Sequence, residues 1–165
     1  MSKKSGSDNR LHILLDSTYL LPVFGIEVEG VTGSDLLELR SLALEGKIKI
    51  YYSPVSFIEV VSKIARESQR RRQGPKPHEI KAIIKIIEQS DYLEAIHPNP
   101  QAYSIAYEMK LLGHGDMIDN ILYATASTRK LIFLTLDRKL KNFIKQQNLE
   151  ITKILTHSEL FKITL

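Results

Sequence analysis

Cysteine is absent from the 165 residues. That excludes disulfides, thiolate zinc sites and a cysteine nucleophile, and is compatible with a cytoplasmic protein. No apolar run approaches the roughly 18–20 residues that span a bilayer, so no membrane association is expected. The first ten residues, MSKKSGSDNR, are polar; residues 1–10 read as a flexible tail and not as a signal peptide. Net charge is only +4, from 23 basic and 19 acidic residues, which permits a nucleic-acid partner without establishing one. Internal repeats and low-complexity segments are also missing. The remaining profile, 43% apolar and 25% charged, is that of one globular domain with a sizeable core.

Short apolar runs alternate with amphipathic stretches along the whole chain. Leu11–Leu15, Ile48–Tyr52, Tyr92–Ile96, Leu131–Leu134 and Ile151–Leu155 read as strands. Between them the apolar spacing predicts helices: one carrying Leu36, Leu37, Leu39, Leu42 and Leu44, one over Val55–Arg66 with Phe57, Ile58, Val61 and Ile64 inward, and others over His78–Gln89, Gln101–Leu112, the stretch after Gly113, and Lys139–Gln147. Ser34 or Asp35 is placed to cap the first of these. Such alternation is the pattern of a parallel sheet covered on both faces, a three-layer α/β/α domain over residues 11–155. Residues 156–165 are expected to form a tail packed on that domain.

Acids recur where this fold brings strand ends together. Asp16 follows the first strand, Glu59 lies just beyond the second, and Asp137 follows the fourth. Asp119 starts the helix that feeds the fourth strand, 18 positions before Asp137. Strand C-termini of a parallel sheet share one edge, where open α/β sheets place their ligands. Clustered carboxylates repel unless a cation neutralises them, and Mg²⁺ or Mn²⁺ suits hard oxygen ligands. Each acid also has a plainer reading: Asp16 serves equally well as a helix cap, and a lone Glu59 as a solvated surface residue. Asp116, three residues before Asp119, is either a further outer metal acid or a helix-start acid favoured by the macrodipole.

The segment ESQRRRQGPKPHE, Glu67–Glu79, is the most polar part of the chain. Arg70, Arg71, Arg72 and Lys76, with Lys81 nearby, make it either a mobile basic arm for phosphates or a solvated loop. It contains no aromatic residue on which bases would stack.

The order of short motifs resembles the PIN-domain ribonucleases, including the VapC toxins of toxin–antitoxin pairs. The motifs are Leu14-Leu15-Asp16-Ser17-Thr18, Ser53-Pro54-Val55-Ser56-Phe57-Ile58-Glu59, Asp119-Asn120-Ile121-Leu122-Tyr123-Ala124-Thr125-Ala126 and Leu134-Thr135-Leu136-Asp137. The resemblance runs from about Leu11 to Leu155. It implies a five-stranded parallel sheet in the order 3-2-1-4-5 and Mg²⁺- or Mn²⁺-dependent cleavage of RNA, single-stranded by expectation. It also implies an antitoxin partner if the chain is a toxin, a stand-alone role in RNA processing or decay if it is not, and a homodimer. By motif position Asp16, Glu59, Asp119 and Asp137 correspond to the family's acidic quartet, and Thr135 to its hydroxyl residue. Thr18 stands where the family usually has Asn or Ser, and Leu140 where many members have Phe. His114 is a candidate proton donor or an ordinary loop histidine.

Two other acid-based chemistries fit less well. A haloacid-dehalogenase-type phosphotransferase needs a second Asp two residues after the first, where this chain has Thr18. A receiver domain needs an acidic pair after its first strand and a lysine after its fifth, and neither is evident. A silent RNA- or protein-binding scaffold would keep four clustered acids at an electrostatic cost.

Overall fold

The computed structural model describes residues 8–149 and 153–164. Residues 1–7 of the expected tail, and Ile151 and Thr152 of the expected last strand, lie outside them. Five strands, β1 (Leu11–Leu15), β2 (Ile48–Tyr52), β3 (Leu93–Ala95), β4 (Ile132–Leu134) and β5 (Ile154–Leu155), form one sheet in the order β3-β2-β1-β4-β5, with every neighbouring pair parallel. Both the parallel sheet and the order agree with expectation. The strand order reverses between β1 and β4, with β2 and β3 added on one side of β1 and β4 and β5 on the other, which makes their C-terminal ends the topological switch point.

Seven α-helices flank the sheet among the described residues: α1 (Gly33–Leu44), α2 (Ser56–Arg71), α3 (Pro77–Glu88), α4 (Pro100–Leu111), α5 (Met117–Thr128), α6 (Arg138–Gln146) and α7 (His157–Thr164). Strand side chains alternate between two cores, as the pleat requires. Ile13, Leu15, Ile50, Tyr52 and Leu134 enter a core closed by α1, α2, α3 and α7. Leu14, Tyr51 and Phe133 enter the other, closed by α4, α5 and α6. Leu140, where a Phe was expected from the resemblance, is buried in that second core.

Several local expectations change. Thr32, not Ser34 or Asp35, caps α1: its hydroxyl accepts from the Asp35 N–H at 3.2 Å, while Asp35 Oδ2 accepts from the Thr32 N–H at 2.7 Å. Leu37 and Leu44 stay exposed, so Leu39 and Leu42 carry α1's inner face. On α2, Ile64 is buried as expected, but Ile58 and Val61 face solvent and Val60 is buried in their place. After Asp16 the chain forms two short 3₁₀ turns, Ser17–Tyr19 and Leu21–Phe24, rather than one α-helix. Pro22 and the left-handed Gly25 end each attempt at continuation. No helix among the described residues is long and apolar enough to cross a membrane.

The segment read as a tail contains α7, which is anchored to the 3₁₀ turn beside Asp16. Leu160 is fully buried, and His157 nearly so. The Tyr19 hydroxyl bonds His157 Nδ1 at 3.0 Å and accepts from the His157 backbone N–H at 3.3 Å. Burial pushes the Tyr19 phenol above its ordinary range, so it remains a neutral donor. Tyr19→Phe therefore leaves buried groups of His157 unpaired and is expected to cost about 1–3 kcal/mol, measured by urea unfolding against wild type. An unchanged unfolding midpoint would mean this contact does not hold α7.

Candidate metal centre

Asp16 ends the central strand, and the sheet carries it to the switch point. Its backbone N–H donates to Leu134 O at 3.0 Å, which ties it to β4. It occupies the cap position of a 3₁₀ turn, yet its side chain makes no cap bond. The carboxylate instead accepts from Thr135 Oγ1 at 2.7 Å and from Ser17 Oγ at 3.3 Å. Thr135 is in turn oriented by the Asp137 N–H, which donates to its Oγ1 at 3.0 Å. Ser17 Oγ also contacts Glu59 Oε2, so one buried hydroxyl, with a single proton to share, bridges two acids. Ser17 stands inside a quoted motif, but its role depends on where α2 lands and is not visible in the chain order.

One oxygen each of Asp16, Glu59 and Asp119 lies within 4.8 Å of the others. Asp119 arrives on the first turn of α5, which packs closely on α4 through Ala102, Ala106 and Ala124, all fully buried. Asp116 is the N-cap of α5: its Oδ1 accepts from the N–H groups of Ile118 and Asp119 at 3.0 and 3.2 Å. The helix-start reading of Asp116 thus describes its observed contacts. Asp137 caps α6 in the same way, its Oδ1 accepting from Lys139 and Leu140 at 2.8 and 3.0 Å. It stands outside the three-carboxylate group but lines the same open cleft of about 450 Å³, as do Thr18 and Asp116.

Burial drives Asp16 above the ordinary carboxylate range; the Thr135 hydrogen bond opposes this, Glu59 adds repulsion, and Lys63 and Ser17 act against it. Asp119 is pushed up to about 8, by burial first and then by the charges of Asp16, Asp116, Glu59 and Asp137. Such a group of acids is destabilised by its own charge and is relieved by a cation. The donors converging here are hard carboxylate oxygens, with no thiolate in the chain, and that set fits Mg²⁺ or Mn²⁺.

Two basic residues of the cleft were not singled out by the sequence. Lys63 pairs with Glu59 one turn earlier on α2, and Arg66 lines the cleft beside it. Arg70 and Arg71 do not belong to a mobile arm: they form the last turn of α2, both paired with Glu67, at 2.6 and 2.5 Å. Arg72 follows in a left-handed conformation that closes the helix. His114 is not in the cleft lining. Its Nδ1 donates to Asn120 Oδ1 at 2.6 Å and its ring packs 5.0 Å from Phe143, so it pins the loop before α5. The fully buried Asn120 completes that clasp by donating to His114 O at 3.1 Å.

The family model described as the PIN domain matches residues 13–145. Among solved structures, the chain is similar to VapBC2 from Rickettsia felis bound to a promoter DNA fragment, with a TM-score of 0.56 at 12% identity, covering 88% of this chain and 98% of that one. It is similar to FitAcB from Neisseria gonorrhoeae, with a TM-score of 0.55 at 17% identity, covering 88% and 98%. The sarcin-ricin-loop-cleaving toxin VapC20 from Mycobacterium tuberculosis gives a TM-score of 0.53 at 14% identity, covering 86% and 98%. No curated protein matches the sequence. These identities establish a shared fold.

Proposed function

Since this chain belongs to the PIN-domain family, we propose that it is a divalent-metal-dependent endoribonuclease hydrolysing single-stranded RNA. The observation that carries this is the convergence of Asp16, Glu59 and Asp119 within 4.8 Å at the switch point of the sheet. These three would hold Mg²⁺ or Mn²⁺, with Asp137 alongside in the cleft. A bound ion would supply activation of water and neutralisation of charge at phosphorus. The chain's own groups do the rest. Thr135 and Ser17 hold the Asp16 carboxylate in one orientation at the cleft wall. Asp116 and Asp137 each keep one oxygen occupied as a cap and add negative charge at the rim. Thr18, at the cleft wall, offers a hydroxyl to substrate. The outcome is hydrolysis without a covalent intermediate, consistent with the absence of cysteine and of a serine–histidine pair in the cleft.

The test is incubation of the purified protein with single-stranded RNA in Mg²⁺, Mn²⁺ or EDTA. Cleavage is expected with either ion, none in EDTA, and none with Asp16→Asn. Metal-independent binding without cleavage would overturn the enzyme in favour of a silent scaffold. The toxin reading is finer and is supported by the toxin–antitoxin nature of its structural neighbours. It expects a cytoplasmic protein encoded beside a small DNA-binding antitoxin, whose co-expression suppresses cleavage and growth arrest; no arrest on expression alone would sink it. The proposed homodimer has a matching surface in Tyr103, Tyr107 and Leu111, exposed at four-residue spacing on α4, and sedimentation velocity decides it.

A further inference from the structure

Glu59, Lys63, Arg66 and Arg70 sit on α2 at spacings of four, three and four. Successive helical residues turn by about 100°, so these four fall within an arc of about 60°. One face of α2 therefore begins with an acid of the metal centre and continues as a basic stripe. From Glu59 to Arg70 the stripe runs about 16 Å, enough for several nucleotides of backbone. Arg71 and Arg72 lie off it, the first turned away on the helix and the second outside it.

Lys63 and Arg66 line the cleft together with Asp16, Glu59 and Asp119. Their charge is available to a ligand to different degrees. Lys63 neutralises Glu59 and is half-buried. Arg66 is exposed and forms no ion pair among the described residues. Arg70 shares Glu67 with Arg71. On the opposite side of Leu136 and Asp137 the surface continues into a second groove. There Glu29, Asp137 and Glu159 outnumber Arg138 and Lys141, and Lys141 is paired with Glu159 at 3.5 Å. The cleft itself holds the acids of the metal centre, and leading away from them α2 presents Lys63, Arg66 and Arg70 in line on one face, whereas the second groove offers no such row of cations.

Resting on the nuclease reading, we infer that the RNA strand lies along α2, its phosphates against Lys63, Arg66 and Arg70, and that Lys63 passes from Glu59 to a backbone phosphate once a divalent ion takes over that carboxylate. Lys63 and Arg66 are thus substrate-binding residues, and the basic stripe of the helix replaces a mobile arm as the phosphate track. The α2 stripe sets the side from which the strand enters the cleft.

Fluorescence anisotropy of a short labelled single-stranded RNA with hydrolysis-resistant phosphorothioate linkages, on the chain with its acidic centre intact and with Mg²⁺ across a salt series, tests this. The double variant Lys63→Met/Arg66→Met is expected to bind about tenfold more weakly at low salt. Its plot of log affinity against log salt should be shallower by about 1.4, since each lost single-strand phosphate contact removes about 0.7. Lys85→Gln/Lys162→Gln, on exposed positions of α3 and α7, removes the same charge elsewhere and should leave the slope unchanged. Lys63→Arg/Arg66→Lys keeps both charges and should restore affinity, which separates charge loss from misfolding. If the double variant binds no more weakly than the α3/α7 control, the strand does not follow α2, while RNA cleavage by wild type would leave the nuclease reading standing. A wild type that neither binds nor cuts RNA overturns both.

Discussion

Asp119→Asn is expected to abolish metal-dependent RNA cleavage while raising the melting temperature of the metal-free protein. The two effects share one cause. Asp119 is held among Asp16, Glu59, Asp116 and Asp137, and burial together with their charges pushes its carboxyl up to about 8. A metal centre needs that concentration of negative charge, and a folded chain without the ion is destabilised by it. Asparagine keeps the shape and removes the titration: the folded Asp119 must hold a proton that the unfolded chain releases, a cost asparagine does not carry. Cleavage should fall at least about a thousandfold, the order seen when one member of a catalytic unit is removed. In EDTA the variant should gain about 1 kcal/mol, or about 2–4 °C for a chain of this size. Adding Mg²⁺ should stabilise wild type and leave the variant little changed. Differential scanning calorimetry in EDTA and in Mg²⁺, beside a cleavage assay, reads all three. A variant that melts below wild type in EDTA, or cuts RNA at the wild-type rate, would falsify the role assigned to Asp119.

A second large effect is expected from pH. Asp119 titrates near 3.8 when unfolded and at about 8 when folded, and Asp16 is shifted in the same direction. Between those values the folded state holds protons that the unfolded chain has released. Stability of the metal-free protein is therefore greatest at the low end of that range and is lost as pH rises towards 8. The loss between pH 5.5 and pH 8 should be about 2 kcal/mol, or about 4–8 °C in melting temperature. Saturating Mg²⁺ should reverse the trend, because the ion binds the ionised carboxylates and competes with protons. The comparison that isolates the site is wild type against Asp119→Asn, whose profile should be flatter. Parallel profiles for the two proteins would show that the acidic centre does not govern the pH dependence.

Much of the fold was legible because strand and helix patterns are local. Leu11–Leu15 ends at Asp16 in both sequence and structure, and the helix–strand alternation implies a parallel sheet. Misreadings arose where several residues compete for one helix face. Ile58 and Val61 suit an inward stripe with Ile64 as well as Val60 does, and only docking on the sheet sets the phase of α2. The run of arginines after Glu67 suggested a loop because Gly74 and Pro75 follow it. Pairing of Glu67 with Arg70 and Arg71, three and four residues on, instead accompanies helix to Arg71.

The amino-acid order by itself determined the α/β layering, the family resemblance and the set of acids available to a site, since all of these rest on short-range periodicity and motif spacing. Tertiary structure alone decided that Asp16, Glu59 and Asp119 meet within 4.8 Å while Asp116 and Asp137 spend an oxygen each as helix caps. It also decided that Lys63 and Arg66 stand at their side. Strand order and helix phase bring together residues about 100 positions apart, and no local pattern encodes which atoms of those residues remain free once they arrive.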